Sequence, residues 1–474
     1  MTRTITIDPI TRIEGHARIS LFLDDQGFVD DAQFQVTQFR GFEKFCEGRP
    51  FYEMPSLMAR ICGICPVSHL IASSKACDRL LAVDIPPAAV RLRSLMNLAQ
   101  IFQSHALSVF HLSSPDFLLG MDADPEVRNV FGALEDHGDR VRDGVRLRAF
   151  GQRIIEALGG KRIHPAWIVP GGVSSPLLPE VRDWIRAELP QVRGVVRRNL
   201  DWFKSHLLGF VEEAKSFANF PTLFMSIVDE NGHLDLYDGR LRIVDADGHR
   251  VLERDLEPEA YRTIIGEQTE SFSYLKSTYY RPLGYPDGIY RVGPLARLNV
   301  VDRCGTPEAD QELAEFRGAF RGAITSSFHY HQARLIEMLH CVEKLTELLA
   351  DPDVLDPHVR AHAGPNAFEG VGISEAPRGT LMHRYVIDAN GLVQTADLII
   401  ATGHNNLAMN RGVLQVARHF ARDGELDEGA LNRVEAVIRC FDPCLSCSTH
   451  AAGQMPLKVT VYDAGGQVRN VYTR

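Results

Sequence analysis

Two pairs of cysteines, each spaced Cys-x-x-Cys, stand near opposite ends of the sequence. The first pair is Cys62 and Cys65, and the second is Cys444 and Cys447. Thiolates are soft ligands that suit zinc, copper(I), nickel or iron. A zinc ribbon brings its two pairs together within about 15–20 residues, whereas roughly 380 residues separate these pairs. A site built from all four thiols would therefore have to be closed by the tertiary fold of the whole chain.

The spacing leaves two interpretations open. All four thiols could bind one metal, because a Cys-x-x-Cys at the start of a helix directs both sulfurs the same way and the helix N-terminus favours thiolate. Alternatively, the pairs are unrelated or form a redox disulfide. The remaining cysteines show no cluster spacing and are interpreted as small buried hydrophobic residues: Cys46, Cys77, Cys304, Cys341 and Cys440. The sequence therefore predicts no iron–sulfur cluster in this chain.

Composition narrows the class of protein. Of 474 residues, 45% are hydrophobic and 24% are charged, which are values typical of globular proteins with a sizeable core. The net charge of −10 argues against nucleic acid or an anionic membrane as the main partner. No apolar run reaches the length of a membrane helix, no signal peptide is evident, and nine cysteines do not indicate a secreted disulfide framework. We expect a soluble, cytoplasmic protein.

The elements that must position the cysteines are predicted to be mainly helices, so the fold class is α+β and predominantly α. Alternating apolar residues predict a β-ribbon over the first 50 residues. Apolar residues at helical spacing predict a bundle of long helices, near 66–83, 87–113, 125–158, 178–218, 308–350 and 405–440. A hairpin is predicted around Asn390-Gly391.

With paired cysteines near both ends, the termini are expected to converge on one site, so we expect one interlocked domain rather than separable domains. Its predicted parts are a β-ribbon (1–50), a first part of the helical bundle (51–222), a β-containing excursion (223–305), a second part of the bundle (306–450) and a C-terminal extension (451–474). Within the extension, residues 455–466 could form a β-hairpin arm.

Five motifs, in order along the chain, carry a resemblance to a known family. Residues 60–69 and 442–450, which contain the cysteine pairs, resemble the two signature motifs of the large subunit of nickel–iron hydrogenases. Residues 8–16, 40–43 and 375–379 resemble three further motifs of that family. A lone Cys-x-x-Cys is weak evidence, but this ordered set spans almost the whole chain.

The resemblance implies a nickel–iron centre that splits H2 reversibly and heterolytically. It implies that Cys62 and Cys444 bind nickel terminally, while Cys65 and Cys447 bridge nickel to iron. It also implies CO and cyanide ligands on the iron, in the form Ni–Fe(CO)(CN)2. A scaffold protein of related fold that has lost the four cysteines is the main alternative, and their presence argues against it.

The resemblance gives five further residues a role beside the metals. Glu14 matches a proton-relay carboxylate next to Cys444, and Arg378 matches an arginine above the metals. Thr402 matches a second donor to cyanide, and His69 matches a histidine that hydrogen-bonds a bridging sulfur. Asp442 is expected to lie with Arg378 in a polar canopy above the metals. From the residues alone, the favoured interpretation of Glu14 is an ion-pair partner of Arg12 or Arg18 on the ribbon, and the others could be ordinary loop, turn or core residues.

Glu43 and His450 match ligands of a buried Mg2+ or similar divalent cation, although histidine is an unusual ligand for magnesium. A surface glutamate is the ordinary alternative for Glu43. Ser104 departs from the family pattern, which often places an aspartate before the histidine at this point. The role of that aspartate is therefore not transferred to Ser104.

The resemblance is strongest to cytoplasmic NAD-reducing bidirectional hydrogenases. It implies a small iron–sulfur partner subunit and diaphorase subunits that bind flavin and NAD, because this chain has no glycine-rich dinucleotide motif. Ferredoxin- or F420-coupled hydrogenases and an H2-sensing subunit are the alternatives. The resemblance also implies nickel-insertion proteins and a maturation protease that cuts between His450 and Ala451. A permanent C-terminal strand is the alternative interpretation of this tail.

Overall fold

The computed structural model describes residues 3–421, 426–449, 458–462 and 468–473. Long helices dominate these residues, and the strands form small sheets of two or three. The predicted fold class, α+β with mainly helices, is confirmed. Among the described residues, no helix combines the length and apolar character needed to cross a membrane.

The chain begins with the predicted ribbon, an antiparallel sheet of β1 (Arg3–Ile7), β2 (Ala17–Leu23) and β3 (Val29–Val36) in that order. The Asp24 carboxylate closes the turn between β2 and β3, because it accepts hydrogen bonds from the backbone N–H groups of Gln26 and Phe28. Alternate residues on the inner face are fully buried, among them Ile19, Leu21, Phe34 and Val36.

Eight helices follow, separated by short 3-10 turns and the small hairpin of β4 (Ile168–Val169) and β5 (Gly172–Val173). They are α1 (Phe42–Cys46), α2 (Met54–Met58), α3 (Pro66–Leu81), α4 (Pro87–Leu107), α5 (Ser114–Leu118), α6 (Val130–Gly159), α7 (Pro179–His206) and α8 (Val211–Ser216). A π-helical turn, Ser108–Leu112, extends α4. The helical segments predicted near 66–83, 87–113, 125–158 and 178–218 are confirmed, although α6 is kinked at His137 and the last segment is divided between α7 and α8.

The stretch predicted as an excursion from the bundle contains short strands and two short helices. The strands are β6 (Leu223–Val228), β7 (Arg240–Val244), β8 (Ile265–Gln268), β9 (Ser277–Tyr280) and β10 (Tyr290–Arg291), and the helices are α9 (Tyr261–Ile264) and α10 (Pro294–Val300). In one sheet β6 is central, paired with β10 in parallel and with β7 in antiparallel orientation. A second sheet pairs β8 with β9.

The prediction of a single long helix near 308–350 is wrong. The structure has α11 (Pro307–Gly318) and α12 (Tyr330–Ala350), separated by a loop. Gly322 in that loop has a φ of +75°, and a Cβ there would lie 2.8 Å from the carbonyl oxygen of Ala246. A glycine is needed for this left-handed turn against the neighbouring chain, and the turn interrupts the helix.

The last part of the chain contains a three-stranded sheet and four helices. The antiparallel sheet has the order β11 (Glu369–Ala376), β12 (Gly379–Ile387) and β13 (Val393–Ile399). Its β12–β13 pair is the hairpin predicted around Asn390-Gly391. The helices are α13 (Ala401–His404), α14 (Asn406–Phe420), α15 (Glu428–Phe441) and α16 (Leu445–Ser448), and β14 (Lys458–Tyr462) and β15 (Val468–Thr473) form a C-terminal hairpin.

Two glycines place α3 directly on β11. A Cβ at Gly370 would lie 2.2 Å from the carbonyl oxygen of Ala76, and one at Gly372 would lie 2.0 Å from that of Ala72. Real side chains essentially never approach so closely, so both positions require glycine. This close packing fixes α3, whose N-terminus carries the first cysteine pair, against the sheet that carries Arg378 between β11 and β12.

Candidate metal centre

The fold brings the four cysteines of the two pairs into one buried cluster. Their sulfur atoms all lie within 4.8 Å of one another. Cys62 Sγ is 3.3 Å from Cys444 Sγ, Cys65 Sγ is 3.5 Å from Cys447 Sγ, and the sulfurs of Cys444 and Cys447 are 2.8 Å apart. Each residue is at most 4% exposed, and all nine cysteines of the chain are reduced thiols. The two pairs are therefore not independent, although 382 positions separate their first members.

Each pair is held at the start of a helix. Cys65 is the N-cap residue of α3, and the N–H groups of Ile64 and Cys65 point at Cys62 Sγ from 3.2 and 3.3 Å. Cys444 is the N-cap residue of α16, which contains Cys447. Backbone N–H groups and helix N-termini both stabilise negative charge on sulfur.

Only part of this cluster can be ionised without a cation. Hydrogen bonds from Cys444, Cys447 and Cys65 hold the pKa of the Cys62 thiol well below its ordinary value. Burial raises the pKa values of Cys444 and Cys447 well above theirs. Four thiolates confined in a dry space would repel one another strongly, so full ionisation requires bound metal cations. The donor set is soft, buried and reduced, which fits nickel and iron.

Glu14 lies directly against the second cysteine pair. Its backbone pairs with that of Cys444 in an isolated bridge, its carbonyl oxygen accepts the Leu445 N–H, and its Oε2 accepts the Ser446 N–H at 3.0 Å. A Cβ at Gly15 would lie 2.6 Å from Leu445 Cβ, so the close approach depends on that glycine. The N-terminal motif thus touches the C-terminal one.

The nearby arginines have other partners than Glu14. Arg12 forms a salt bridge of 2.6 Å with the buried Asp116, and Arg18 donates to the side chain of Gln35. The alternative interpretation of Glu14, as the ion-pair partner of one of these arginines, does not describe the structure. Its carboxylate instead faces the backbone that follows Cys444.

Arg378 and Asp442 form a buried ion pair beside the cysteines. Arg378 donates through Nε to the carbonyl oxygen of Asp442 and through one terminal nitrogen to its carboxylate at 3.2 Å. Burial alone would lower the pKa of Arg378, but Asp442 and the thiols of Cys444, Cys65 and Cys62 hold it well above its ordinary value.

Arg378 and Asp442 each keep a buried polar atom without a hydrogen-bond partner among the described residues, Nη1 and Oδ2 respectively. These atoms are available to a ligand in the cluster. Thr402 is also at the site, because its hydroxyl oxygen accepts the Cys444 N–H at 2.9 Å.

His69 contacts the cysteine cluster. Its Nε2 lies 3.3 Å from Cys447 Sγ, and its Nδ1 lies 3.2 Å from Nε2 of His383. Both histidines are buried. His69 sits one turn into α3, so the helix that begins at Cys65 also supplies this contact.

The predicted magnesium ligands are placed only in part. Glu43 lies in α1, and its Oε1 accepts the Leu398 N–H at 2.8 Å. Burial raises the pKa of Glu43 to about 7. His450 lies outside the described residues, so the pairing of these two residues stays a prediction. Ser104 is buried on α4, and its hydroxyl has no hydrogen-bond partner among the described residues.

Two sets of residues that support the site were missed from the sequence. Gln100 and Gln103 on α4 both donate to the carbonyl oxygen of Ile64, at 2.7 and 2.9 Å, and so fix the loop between the first two cysteines. Arg297 on α10 donates to the carbonyl oxygens of Ala376 and Pro377, immediately before Arg378. In the sequence Arg297 stands out only as the one charged residue of the segment Pro294–Val300, which does not reveal its partners.

Comparison with known proteins decides the family. A family model described as nickel-dependent hydrogenase matches residues 40–127 and 225–450, which is more than half of the chain. The chain belongs to the nickel-dependent hydrogenases. A model described as HoxL-like matches residues 4–39 of this hydrogenase chain. The predicted family and enzyme class are confirmed.

Individual relatives of this hydrogenase chain refine the comparison. It is 43% identical, over 99% of both chains, to the beta subunit of the NAD-reducing hydrogenase HoxS of Cupriavidus necator. It is 40% identical to one subunit of the F420-non-reducing hydrogenase vhu of Methanocaldococcus jannaschii, over 87% of this chain and 98% of that one. A crystal structure of an NAD+-reducing [NiFe]-hydrogenase in the H2-reduced state matches with a TM-score of 0.91 and 42% identity, over 95% of this chain and 100% of that chain.

More distant structures share the fold. The Ni-Fe-Se hydrogenase of D. vulgaris Hildenborough matches with a TM-score of 0.78 at 24% identity, over 95% of this chain and 100% of that chain. The nickel–iron hydrogenase large-subunit fold expected from the motifs is therefore confirmed by both close and distant structures.

Proposed function

We propose that this chain is the catalytic subunit of an NAD-reducing hydrogenase, which cleaves H2 reversibly and heterolytically at a nickel–iron centre. The observation that carries the proposal is the buried cluster of four reduced thiols within 4.8 Å, in a chain 43% identical over its length to an NAD-reducing hydrogenase subunit. A second candidate, coupling to an acceptor other than NAD(P)+, is favoured by the 40% identity to an F420-non-reducing hydrogenase subunit.

The four cysteines would hold both metals. Cys62 and Cys444 would bind nickel terminally, and Cys65 and Cys447 would bridge nickel to iron. When bound, the centre supplies the Lewis acidity that polarises H2 and the redox capacity that accepts its electrons. The iron would carry CO and cyanide as Ni–Fe(CO)(CN)2. Nη1 of Arg378, which has no hydrogen-bond partner within the described part of the chain, is a suitable donor to such a ligand.

Glu14 would move the proton that heterolytic cleavage releases. Its carboxylate is anchored by the Ser446 N–H beside Cys444, and it is only partly buried, so it can connect the dry cluster with the outside. Asp442 would hold Arg378 in place, and the Thr402 hydroxyl would fix the backbone of Cys444 while its hydrogen remains available to a ligand.

A divalent cation, Mg2+ or similar, would sit beside Glu43 and His450. The support is electrostatic, because burial raises the pKa of Glu43 to about 7 and a buried carboxylate is stabilised as an anion by a nearby cation. Removal of this cation with a chelator should destabilise the region around α1.

The electrons would leave through partner subunits. The described part of the chain holds one cysteine cluster, which would be occupied by the nickel–iron centre. A small iron–sulfur subunit would therefore receive the electrons, and diaphorase subunits with flavin would pass them to NAD(P)+. The assembly would be cytoplasmic.

The tail over 451–474 would be removed during maturation, after nickel-insertion proteins have loaded the metal. Two findings support this boundary. The nickel-dependent hydrogenase model ends at residue 450, and the NAD+-reducing structure covers all of its own chain but 95% of this one. The interlocked domain would then comprise residues 1–450.

Metal analysis and infrared spectroscopy of the purified complex test the proposal. We expect about one nickel per copy of this chain, infrared bands of CO and cyanide, and H2-dependent reduction of NAD+. Zinc alone in the cluster, or a complex without nickel, would overturn the proposal. Reduction of a different acceptor by a nickel-loaded complex would favour the second candidate.

A further inference from the structure

A string of four buried side chains leads away from the cysteine cluster. It starts at His69, whose Nε2 is 3.3 Å from Cys447 Sγ, and passes to His383 at 3.2 Å. From His383 Nδ1 it continues to the Tyr385 hydroxyl at 2.8 Å, and from there to Ser73 Oγ at 2.8 Å. All four residues are at most 1% exposed.

The string is built into two elements that pack together. His69 and Ser73 are one turn apart on α3, and His383 and Tyr385 lie on the same face of β12. The chain of contacts therefore runs from helix to strand and back to the helix. Because α3 and this sheet are locked by the close glycine contacts at Gly370 and Gly372, the geometry is rigid.

Hydrogen-bond accounting permits two proton arrangements in a neutral string. A neutral imidazole has one donor and one acceptor nitrogen, and a hydroxyl can serve as either. In the first arrangement His383 donates to His69, which then presents an Nε2–H to the sulfur of Cys447. In the second every bond is reversed, and His69 presents a lone pair instead. A metal-bound thiolate has no proton to donate, so only the first arrangement suits it.

The far end of the string is compatible with the arrangement that a thiolate requires, because the Tyr385 hydroxyl lies within hydrogen-bond distance of both His383 and Ser73 and can donate to either. Burial raises the pKa of Tyr385 well above its ordinary value, so the phenol stays protonated and can donate to His383. In a neutral histidine, the hydrogen bond made at one ring nitrogen determines which of the two nitrogens carries the proton.

We propose that His383, Tyr385 and Ser73 are positioning residues that hold His69 in the tautomer whose Nε2–H donates to the bridging sulfur of Cys447. The proposal rests on the proposed function. It extends that function from the one histidine at the sulfur to three residues that do not touch the metals. A hydrogen bond to a thiolate withdraws electron density from the metals, so the string tunes the electronic state of the centre.

The infrared spectrum of the mature complex tests this assignment. Tyr385→Phe removes one hydroxyl and leaves the tautomer of His383 unspecified, which weakens the bond from His69 to the sulfur. The thiolate then donates more strongly, and we expect the CO band to shift to lower wavenumber. His383→Leu should give the same shift, and His383→Gln, which keeps a donor, should move the band back towards the parent value.

A matched control is available in Tyr290. Its hydroxyl bonds a buried histidine, His404 Nδ1, and the hydroxyl of Thr278, so Tyr290→Phe removes a comparable buried hydroxyl outside the string. We expect Tyr290→Phe to lower the melting temperature as Tyr385→Phe does, without moving the CO band.

Two results would overturn two different claims. Identical CO bands in the parent, Tyr385→Phe and His383→Leu would overturn the assignment, while a parent without nickel or CO would instead overturn the proposed function. If Tyr385→Phe does not assemble, Ser73→Ala, which removes the last hydroxyl of the string, replaces it. A shift of the CO band to lower wavenumber in this variant would support the assignment, and an unchanged band would overturn it.

Discussion

Arg297 offers the sharpest test of how the site is supported. Its guanidinium is fully buried and makes five hydrogen bonds: two to Glu337, one to Glu375 and one each to the carbonyl oxygens of Ala376 and Pro377. Four of these bonds are 2.7–2.9 Å long. The variant Arg297→Met keeps similar volume but leaves two buried carboxylates without their shared cation.

The expected cost follows from this geometry. Removing one partner of a buried, hydrogen-bonded ion pair costs about 3–5 kcal/mol, because the remaining charge is left uncompensated. With an unfolding entropy of about 2.1 cal/mol/K per residue, a chain of 474 residues has an unfolding entropy of about 1 kcal/mol/K. We therefore expect Arg297→Met to lower the melting temperature by about 3–5 °C.

Calorimetry of the assembled complex measures this change, with Arg153→Met as the control. Arg153 also pairs with a glutamate, Glu188, at 2.9 Å, but its side chain is 47% exposed. Exposed pairs contribute about 0–1 kcal/mol, so the control should melt within about 1 °C of the parent. Because Arg297 also holds the backbone before Arg378, its variant should oxidise H2 more slowly per bound nickel. Equal melting temperatures for the two variants would refute the reasoning.

Four further outcomes are expected. Glu14→Gln should slow H/D exchange by about 10²–10⁴-fold with unchanged infrared bands, and unchanged exchange would remove its relay role. Cys444→Ser should abolish nickel binding while Cys341→Ala, at a buried thiol outside the cluster, retains it; equal nickel contents would contradict the ligand assignment. Burial lowers the pKa of His340 from 6.5 to about 4, so on acidification the unfolded chain takes up this proton first. The free energy of unfolding should therefore decrease as the pH is lowered from 6.5 to about 4, by up to about 1.4 kcal/mol per pH unit. A chemical-denaturation series over this pH range should show a smaller slope for His340→Gln. Mass spectrometry of the mature subunit should find its end at His450, and an intact tail in the active complex would contradict the maturation proposal.

The sequence was sufficient to predict the fold class, the family and the joining of the two cysteine pairs. Helices with clear apolar spacing, such as Pro66–Leu81, were found within two residues. The break between α11 and α12 was missed, because apolar residues continue at helical spacing through a loop that turns at Gly322. Local periodicity does not report a turn that is required by a neighbouring segment.

The residues that support the site were harder to predict than those that form it. Cys62 and Glu14 belong to motifs, whereas Arg297, Gln100 and His383 act through contacts between residues far apart in the sequence. Arg297 contacts residues 40 to 80 positions away, and His383 is 314 positions from His69. A single sequence contains no signal for such pairs, because the burial that makes them necessary exists only in the folded chain.

The separation of the two cysteine pairs by 382 positions has a consequence for synthesis of the chain. At a translation rate of about 5–20 residues per second, the second cysteine pair leaves the ribosome about 20–80 s after the first. During that interval Cys62 and Cys65 are reduced thiols without their partners. A site that uses all four thiols therefore cannot form until translation is almost finished, and until then the early pair is open to oxidation or capture by zinc.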